Sequence, residues 1–173
     1  MLGLIDEAPK RLPKSTTPSQ SVDNQVVTGT PKLVVLYHID DASHALALEK
    51  QMKLLTRAGK ISVFFQQKEG LASPEGVFEH TKKAIKNAHL IVVLATEDFF
   101  FEDENFQLVE FAKTSGRSIV PILVKSFNMA GSGIEGLRAL PSNNKFINTG
   151  WPSPDAAWLD VANGLKTVLL PNG

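Results

Sequence analysis

The chain has 173 residues, of which 43% are hydrophobic and 21% are charged, and its formal net charge is zero. This length predicts one domain with room for a terminal tail, and the composition is that of a globular protein with an ordinary core. The balanced charge argues against nucleic acid or an acidic membrane as a partner, because both favour clustered lysine and arginine. The absence of cysteine excludes disulfides, thiolate metal sites and a cysteine nucleophile.

The amino-terminal sequence shows no targeting signal. The opening run MLGLIDEAPKR has too few apolar residues for a signal peptide, and Leu2 stands where myristoylation requires glycine. No stretch of the sequence approaches the roughly 20 apolar residues that span a bilayer. These features predict a cytoplasmic protein that makes no membrane contact.

Residues 1–30 are rich in proline, serine, threonine, glutamine and asparagine. We predict that they form a flexible leader, since such a composition buries too little surface to offset the chain entropy lost on folding. A short helix from Leu2 to Glu7 is the one element predicted within it. The folded domain is predicted to span residues 31–170.

The predicted strands are mostly runs of apolar, β-branched and aromatic residues. They cover residues 32–38, 61–65, 90–95, 118–124 and, as a short fifth strand with the sequence KFIN, 145–148. Continuous apolar runs are typical of strands that are buried on both faces. Pro121 in the fourth run predicts an edge strand or a bulge, because proline cannot donate to a central ladder.

Helices are predicted between these strands from their capping signals. The signals are, in chain order, Asp40, Asp41 and Ser43 before a helix that ends at Gly59; Ser73 with Pro74; the acidic stretch EDENF before a helix that ends at Gly116; and Ser153 with Pro154. Strands that alternate with helices predict an α/β fold, a three-layer and mostly parallel five-stranded sheet with helices on both faces. Ligands bind to such sheets beyond the carboxyl ends of the strands.

Phosphate-binding motifs are absent from the sequence. No GxGxxG follows the first predicted strand, and no GxxxxGK[ST] occurs anywhere. The glycine-rich stretch at residues 130–136 follows a late strand and is typical of a flexible loop. A dinucleotide oxidoreductase and a P-loop NTPase are therefore both disfavoured.

A phospho-receiver domain is another α/β alternative. Asp40 and Asp41 follow the first strand, Thr96 follows the third and Lys125 follows the fourth, as in such domains. A receiver also needs a phosphoacceptor aspartate at the end of a further strand, and this chain has no room for that strand. The second strand ends in Gln66 and Gln67, which cannot accept a phosphoryl group as a carboxylate does. A receiver or a flavodoxin-like binding domain remains as the weaker alternative.

The histidines predict no metal site, because His38, His44, His80 and His89 show no metal-binding spacing with one another. His44 and His80 fall on helices and are predicted to be surface residues. His38 ends the first strand, at the edge where ligands bind, and is the one histidine retained as a site residue. No GxSxG elbow is present for serine catalysis.

Glu110 is the candidate catalytic residue. It lies early in a helix that starts at the carboxyl edge of a central strand, and its neighbours Leu108, Val109 and Phe111 are apolar. The acidic residues at 102–104 would raise its proton affinity. A solvated surface carboxylate is the commoner fate of a helical glutamate, so position alone does not decide its role.

Several segments of the chain together are similar to one known family. LRALP (137–141) and TGWPSPDAAWLDVANGL (149–165) are the most specific matches, ATEDF (95–99) takes the place of a Ser-Pro-Asp-Phe turn, and FQLVE (106–110) has the spacing of a Trp-Cys-x-x-Glu motif. Residues 32–169 thus resemble a Toll/interleukin-1 receptor (TIR) domain of the bacterial type. The resemblance places the family's catalytic glutamate at Glu110, with about two extra residues in the preceding loop FFFEDEN. A placement without that gap would put Leu108 at this position.

The resemblance implies a flavodoxin-like TIR fold and an NAD⁺ hydrolase that cleaves the nicotinamide glycosidic bond, activated by self-assembly in bacterial immunity against phage. NAD⁺ would be the substrate, with no resident cofactor. A carboxylate at Glu110 would stabilise the oxocarbenium-like ribose that forms as nicotinamide leaves. We expect five residues to contact the dinucleotide: Tyr37, His38, Phe65, Thr96 and Phe106. The aromatic ones would pack on its rings.

The resemblance also implies self-association, or association with other TIR domains, through the BB loop from Gln66 to Gly76. Such contacts are often head-to-tail and complete the site between two subunits. The alternative function is a non-catalytic TIR interaction module. It is favoured by Phe106 and Gln107 in place of tryptophan and cysteine, and by a BB loop without the usual Asp-Arg pair.

Overall fold

The computed structural model describes residues 29–68 and 73–171. The elements in these ranges are β1 (Lys32–Leu36), a 3-10 turn (Ile39–Asp41), α1 (Ala42–Arg57), β2 (Ser62–Phe65), α2 (Pro74–Lys86), β3 (Leu90–Ala95), α3 (Glu97–Phe101), α4 (Asp103–Thr114), β4 (Ile119–Leu123), α5 (Ile147–Gly150) and α6 (Pro154–Leu169). Residues 1–28 of the predicted leader, with its short helix, lie outside the described residues.

The four described strands form one parallel sheet in the order β2-β1-β3-β4. The predicted α/β class and the parallel arrangement are confirmed. Pro121 lies in β4, which is an edge strand, as predicted from its missing N–H. None of the helices in the described part of the chain is long and apolar enough to cross a bilayer.

Side chains alternate along the strands between two cores, one on each face of the sheet. Val35 and Val92 belong to the core that includes residues of α1 and α6. Their neighbours Val34 and Ile91 belong to the core that includes residues of α2 and α4. All six residues of β3 are buried, as the continuous apolar run predicted. The predicted three-layer arrangement is confirmed.

Two of the predicted helix starts show the expected capping chemistry, whereas Asp41 and Glu102 precede α1 and α4 without a side-chain capping bond. Ser73 Oγ accepts a hydrogen bond from Gly76 N at 3.1 Å, and Ser153 Oγ accepts one from Ala156 N at 3.2 Å. Gly59, which follows α1, has a φ of 74° that suits glycine. Local sequence therefore sets where these helices begin and end.

The predicted fifth strand at residues 145–148 is wrong, and the sheet has four strands within the described ranges. Asn144 has a φ of 59°, which turns the chain immediately before this segment. Ile147 is 4% exposed and anchors the short helix α5 in the core. The outer edge of β4 instead makes an isolated parallel bridge, between Ile122 and Leu140.

His44 is half-buried on α1, although the sequence predicted a surface position. Its ring stacks on Trp158 of α6 with centroids 6.3 Å apart. Burial lowers the pKa of His44 below its usual 6.5, with Asp41 opposing the shift and Lys125 adding to it.

Substitution of His44 by glutamine is expected to flatten the dependence of folding stability on pH below 6.5. In the protein with His44, this side chain binds a proton at a higher pH in the unfolded state than in the folded state. Stability therefore falls as the pH drops through 6.5 towards the lowered folded-state pKa. Urea unfolding followed by circular dichroism at about pH 7.5 and about pH 5.5, either side of the histidine range, measures the slope. His80→Gln, on an exposed side chain, is the control, and equal slopes in native and His44→Gln protein would contradict the expectation.

Candidate active site

A cavity of about 420 Å³ lies beyond the carboxyl ends of β1 and β2, bordered by the start of α2 and the start of α4. Parallel sheets gather their ligand-binding loops at this edge. The volume is in the range of small-molecule sites in proteins. Position and size together make this cavity the candidate active site.

A pair of buried amides forms the floor of the cavity. Gln66 is 4% exposed and Asn105 is 5% exposed. Gln66 Nε2 donates to Asn105 Oδ1 at 2.9 Å, and Gln66 Oε1 accepts from Tyr37 N at 2.9 Å. Asn105 Nδ2 donates to the carbonyl oxygen of Phe99 at 3.1 Å. These bonds fix the ends of β1 and β2 to α4, so the floor is held rigidly.

Three ionisable side chains border the cavity above this floor: His38, Glu102 and Glu104. His38 Nδ1 accepts a hydrogen bond from Asp40 N at 3.0 Å, so the neutral imidazole carries its proton on Nε2. Nε2 lies 3.7 Å from Glu102 Oε2. The cavity therefore offers one N–H donor and two carboxylates to a ligand.

The predicted BB loop reaches the cavity at both of its described ends. Gln67 from its first part and Ser73 and Pro74 from its last part contribute to the lining. Residues 69–72 of the loop lie outside the described residues. Residues at both ends of the loop thus border the same space as the ionisable side chains.

A second polar network joins the carboxyl ends of β1, β3 and β4. Asp41, which is fully buried, accepts a hydrogen bond at Oδ2 from Thr96 Oγ1 at 2.6 Å. Its Oδ1 lies 3.2 Å from Lys125 Nζ, an ion-pair distance without hydrogen-bond alignment. Thr96 Oγ1 also accepts from Phe99 N at 3.2 Å and so caps α3. Of the residues that the phospho-receiver hypothesis grouped, Asp41, Thr96 and Lys125 meet in this network, whereas Asp40 is exposed beside His38.

Most of the predicted dinucleotide contacts lie in the protein interior. Tyr37 is 1% exposed and Thr96 is completely buried. The ring of Phe65, which is 7% exposed, meets that of Tyr37 edge-on at 6.4 Å. None of these three side chains lines the cavity, and His38 is the predicted contact that borders it.

Glu110 lies outside the cavity. Asn105 and Leu108, one turn apart on α4, border the cavity, and a residue two positions after Leu108 is rotated from it by about 200°. Glu110 Oε2 lies 3.6 Å from Lys113 Nζ. It also packs so closely on the loop after β4 that a Cβ at Gly133 would come within 2.9 Å of it. The structure does not bring Glu110 together with His38.

Phe106 also faces away from this cavity and lines a separate one of about 320 Å³ on the other side of α4. Phe106 lies four residues, about one helical turn, before Glu110. The two residues lie on the same side of α4. Their roles towards the dinucleotide stay predictions.

Glu102 and Glu104 are the site residues that the sequence reasoning missed. They were considered as neighbours that raise the proton affinity of Glu110, because the family spacing led to that residue. A gapless count from the ATEDF turn places Leu108 at the position of the family's glutamate, and Leu108 does border the cavity. This count is the sequence signal that α4 presents residues other than Glu110 to the cavity.

A group of potential metal ligands lies at the rim. Ligand atoms of His38, Asp40 and Asp98 lie within 4.8 Å of one another, and both aspartates are exposed. Carboxylate oxygens suit hard cations such as Mg²⁺. His38 Nδ1 is already engaged by Asp40 N, so the imidazole would enter such a site through Nε2 or after losing that bond.

The structure is similar to the crystal structure of the TIR domain of the Toll-related receptor TRR-2 from the lower metazoan Hydra magnipapillata. The two share 18% sequence identity, the match covers 65% of this chain and 86% of that chain, and the TM-score is 0.46. No family profile matches this sequence, and no curated protein matches it.

Proposed function

We propose that this chain is a TIR-domain NAD⁺ hydrolase that cleaves the nicotinamide glycosidic bond in the cavity at the carboxyl edge of its sheet. The observation that carries the proposal is the placement of Glu102 beside His38, with Glu104 lining the same cavity, which is bordered by both described ends of the BB loop. The sequence resemblance to bacterial TIR domains supplies the substrate.

The chemistry suits these side chains. The C–N bond between ribose and the cationic nicotinamide breaks, nicotinamide leaves as a neutral base with the electron pair, and positive charge develops on the sugar. A carboxylate at Glu102 or Glu104 stabilises that charge. Water then adds to the sugar carbon, which yields ADP-ribose and releases one proton. Neutral His38 donates from Nε2 to a ribose hydroxyl or to Glu102, which orients the reacting groups.

The biological setting follows from the same resemblance. Bacterial TIR domains that hydrolyse NAD⁺ act in immunity against phage, and self-assembly through the BB loop activates them. In this chain, Gln67 and Ser73 connect the loop to the cavity wall. We therefore propose that association of chains through this loop, or with other TIR domains, sets the geometry of the site.

Nicotinamide release is expected when concentrated protein is incubated with NAD⁺ and a crowding agent. Crowding favours association, so the rate per chain should rise with protein concentration if assembly completes the site. Chromatographic separation of nicotinamide and ADP-ribose measures both products. Absence of release at every concentration, from protein whose circular dichroism shows a folded α/β domain, would overturn the enzymatic proposal.

A non-catalytic TIR interaction module is the second candidate function. The observation that favours it is the apolar Leu108 at the position that a gapless count gives to the family's glutamate, with Glu110 paired to Lys113 on another face. Such a module would self-associate, or bind another TIR domain, without releasing nicotinamide.

A further inference from the structure

Another cavity, of about 320 Å³, opens between the amino ends of β1 and β2 and the last turns of α2. We call it the amino-edge cavity and define it by Lys32, Phe64, His80 and Lys83, which all contribute to its lining. The strands are parallel, so this cavity and the candidate active site lie at opposite edges of the sheet. The two cavities share no lining residue. The amino-edge cavity is therefore a separate site, to which the proposed hydrolase activity assigns no role.

The interior of the amino-edge cavity is apolar and partly aromatic. The buried Val34 and the half-buried Phe64 and Ala84 belong to its lining. The ring of Phe64 lies 5.4 Å from the ring of His80, with an angle of 45° between their planes. Neighbouring rings beside apolar side chains offer a packing surface to a flat aromatic group of a ligand.

The charge of the amino-edge cavity is positive. Lys32 and Lys83 are exposed, and neither side chain has an ion-pair or hydrogen-bond partner among residues 29–68 and 73–171. No acidic residue of the described ranges lines this cavity, whereas Glu102 and Glu104 line the candidate active site. Lys83 and Lys86 in the last turn of α2 offset the partial negative charge of that helix end. The cavity therefore favours an anionic ligand.

Two uncharged polar side chains complete the lining, those of Ser62 and Asn87. Asn87 Nδ2 donates to the carbonyl oxygen of Lys83 at 3.2 Å, which leaves Oδ1 as an acceptor. The hydroxyl of Ser62 can donate or accept. These groups match ligand atoms that form hydrogen bonds between an aromatic ring and an anionic group, such as those of a ribose or the edge of a base.

We propose that the amino-edge cavity binds a free mononucleotide, with its base on the rings of Phe64 and His80 and its phosphate between Lys32 and Lys83. An inorganic anion alone leaves the apolar interior unused, and an uncharged nucleoside leaves the two lysines unpaired. The volume is at the small end of the range for ligand sites, roughly 300–1,000 Å³, which suits one nucleotide rather than a nucleic acid strand. Occupancy of this site needs no cleavage of NAD⁺.

AMP is expected to bind to the protein with one-to-one stoichiometry and a dissociation constant below about 1 mM. Isothermal titration calorimetry with AMP, adenosine and inorganic phosphate compares the whole ligand with its two parts. Each part makes only some of the contacts, so its dissociation constant should be about tenfold higher or more. Two results would overturn the proposal: phosphate alone that binds as tightly as AMP, and AMP that does not bind.

Substitution of both Lys32 and Lys83 by glutamine is expected to raise the dissociation constant of AMP about tenfold or more, because charge-assisted hydrogen bonds to the phosphate are lost. Both lysines are exposed, so the core stays intact. Lys50→Gln with Lys166→Gln makes the same change in net charge at other exposed positions. This control should bind AMP like the native protein. Equal dissociation constants for the two double variants would contradict the assignment.

Amide signals in a ¹H–¹⁵N correlation spectrum locate the bound nucleotide. AMP is expected to shift the signals of Phe64 and Lys83 and to leave those of His38 and Glu102 unchanged. Shifts confined to His38 and Glu102 would place AMP in the candidate active site and overturn the proposal. These measurements contain no NAD⁺, so failure of the nucleotide site and failure of the proposed hydrolase activity are separate results.

Discussion

Replacing Glu102 and Glu104 together by glutamine is expected to lower the rate of nicotinamide release by about 100-fold or more. Glutamine keeps the size of each side chain and removes the negative charge that would stabilise the developing cation. Glu110→Gln makes the same chemical change on the other side of α4, where the carboxylate contacts Lys113. It should retain a rate close to that of native protein. Initial rates of nicotinamide release, measured at a matched state of assembly, compare the variants.

The reverse pattern would contradict this assignment. If Glu110→Gln abolished release and the double variant retained it, the family spacing would identify the catalyst and the cavity would not. Sedimentation of each variant is measured in parallel, because assembly of the chains is proposed to set the geometry of the site. Loss of turnover with assembly intact assigns the effect to the cavity. The single variants Glu102→Gln and Glu104→Gln then show how much of the loss of rate each carboxylate accounts for.

Replacing Lys125 by methionine is expected to cost about 1–3 kcal/mol of folding free energy, because a buried carboxylate loses the ammonium group that compensates its charge. Asp41 is fully buried, and Lys125 Nζ at 3.2 Å compensates its charge. Methionine keeps most of the length of the side chain without the ammonium group, so the carboxylate would stay buried with Thr96 as its remaining described partner. Urea unfolding followed by circular dichroism gives the change in free energy.

Lys113→Met is the matched control for this measurement. Lys113 and Lys125 have similar side-chain exposure, 43% and 42%, and each lies near one carboxylate. The partner of Lys113 is Glu110, which is 44% exposed, and solvent-exposed pairs contribute about 1 kcal/mol or less. If both substitutions lowered the folding free energy equally, the burial of Asp41 would not determine how much its ion pair with Lys125 contributes to stability.

The fold could be predicted from the sequence because its signals are local. The apolar runs of β1 and β3 and the serine-proline starts of α2 and α6 each depend on a few adjacent residues. The strand predicted at residues 145–148 was wrong because this segment is too short to carry a periodic pattern. Its conformation depends on the left-handed turn at Asn144 and on the burial of Ile147 in the core.

The site was harder to predict because it depends on which way each side chain points. The carboxyl edge of the sheet and the role of His38 as a border residue followed from strand order alone. The choice between Glu104 and Glu110 depends on the rotation of α4, and a shift of two residues in the loop before it turns the helix face by about 200°. Tyr37 follows β1 directly, and a one-residue step along a strand decides between core and cavity.

The amide pair of Gln66 and Asn105 constrains how the BB loop can move. Any motion that withdrew Gln66 would leave the buried amide oxygen of Asn105 without its present donor, at a cost of about 1–3 kcal/mol. A rearrangement on assembly is therefore expected to pivot after Gln66, with the end of β2 and the start of α4 as a fixed frame.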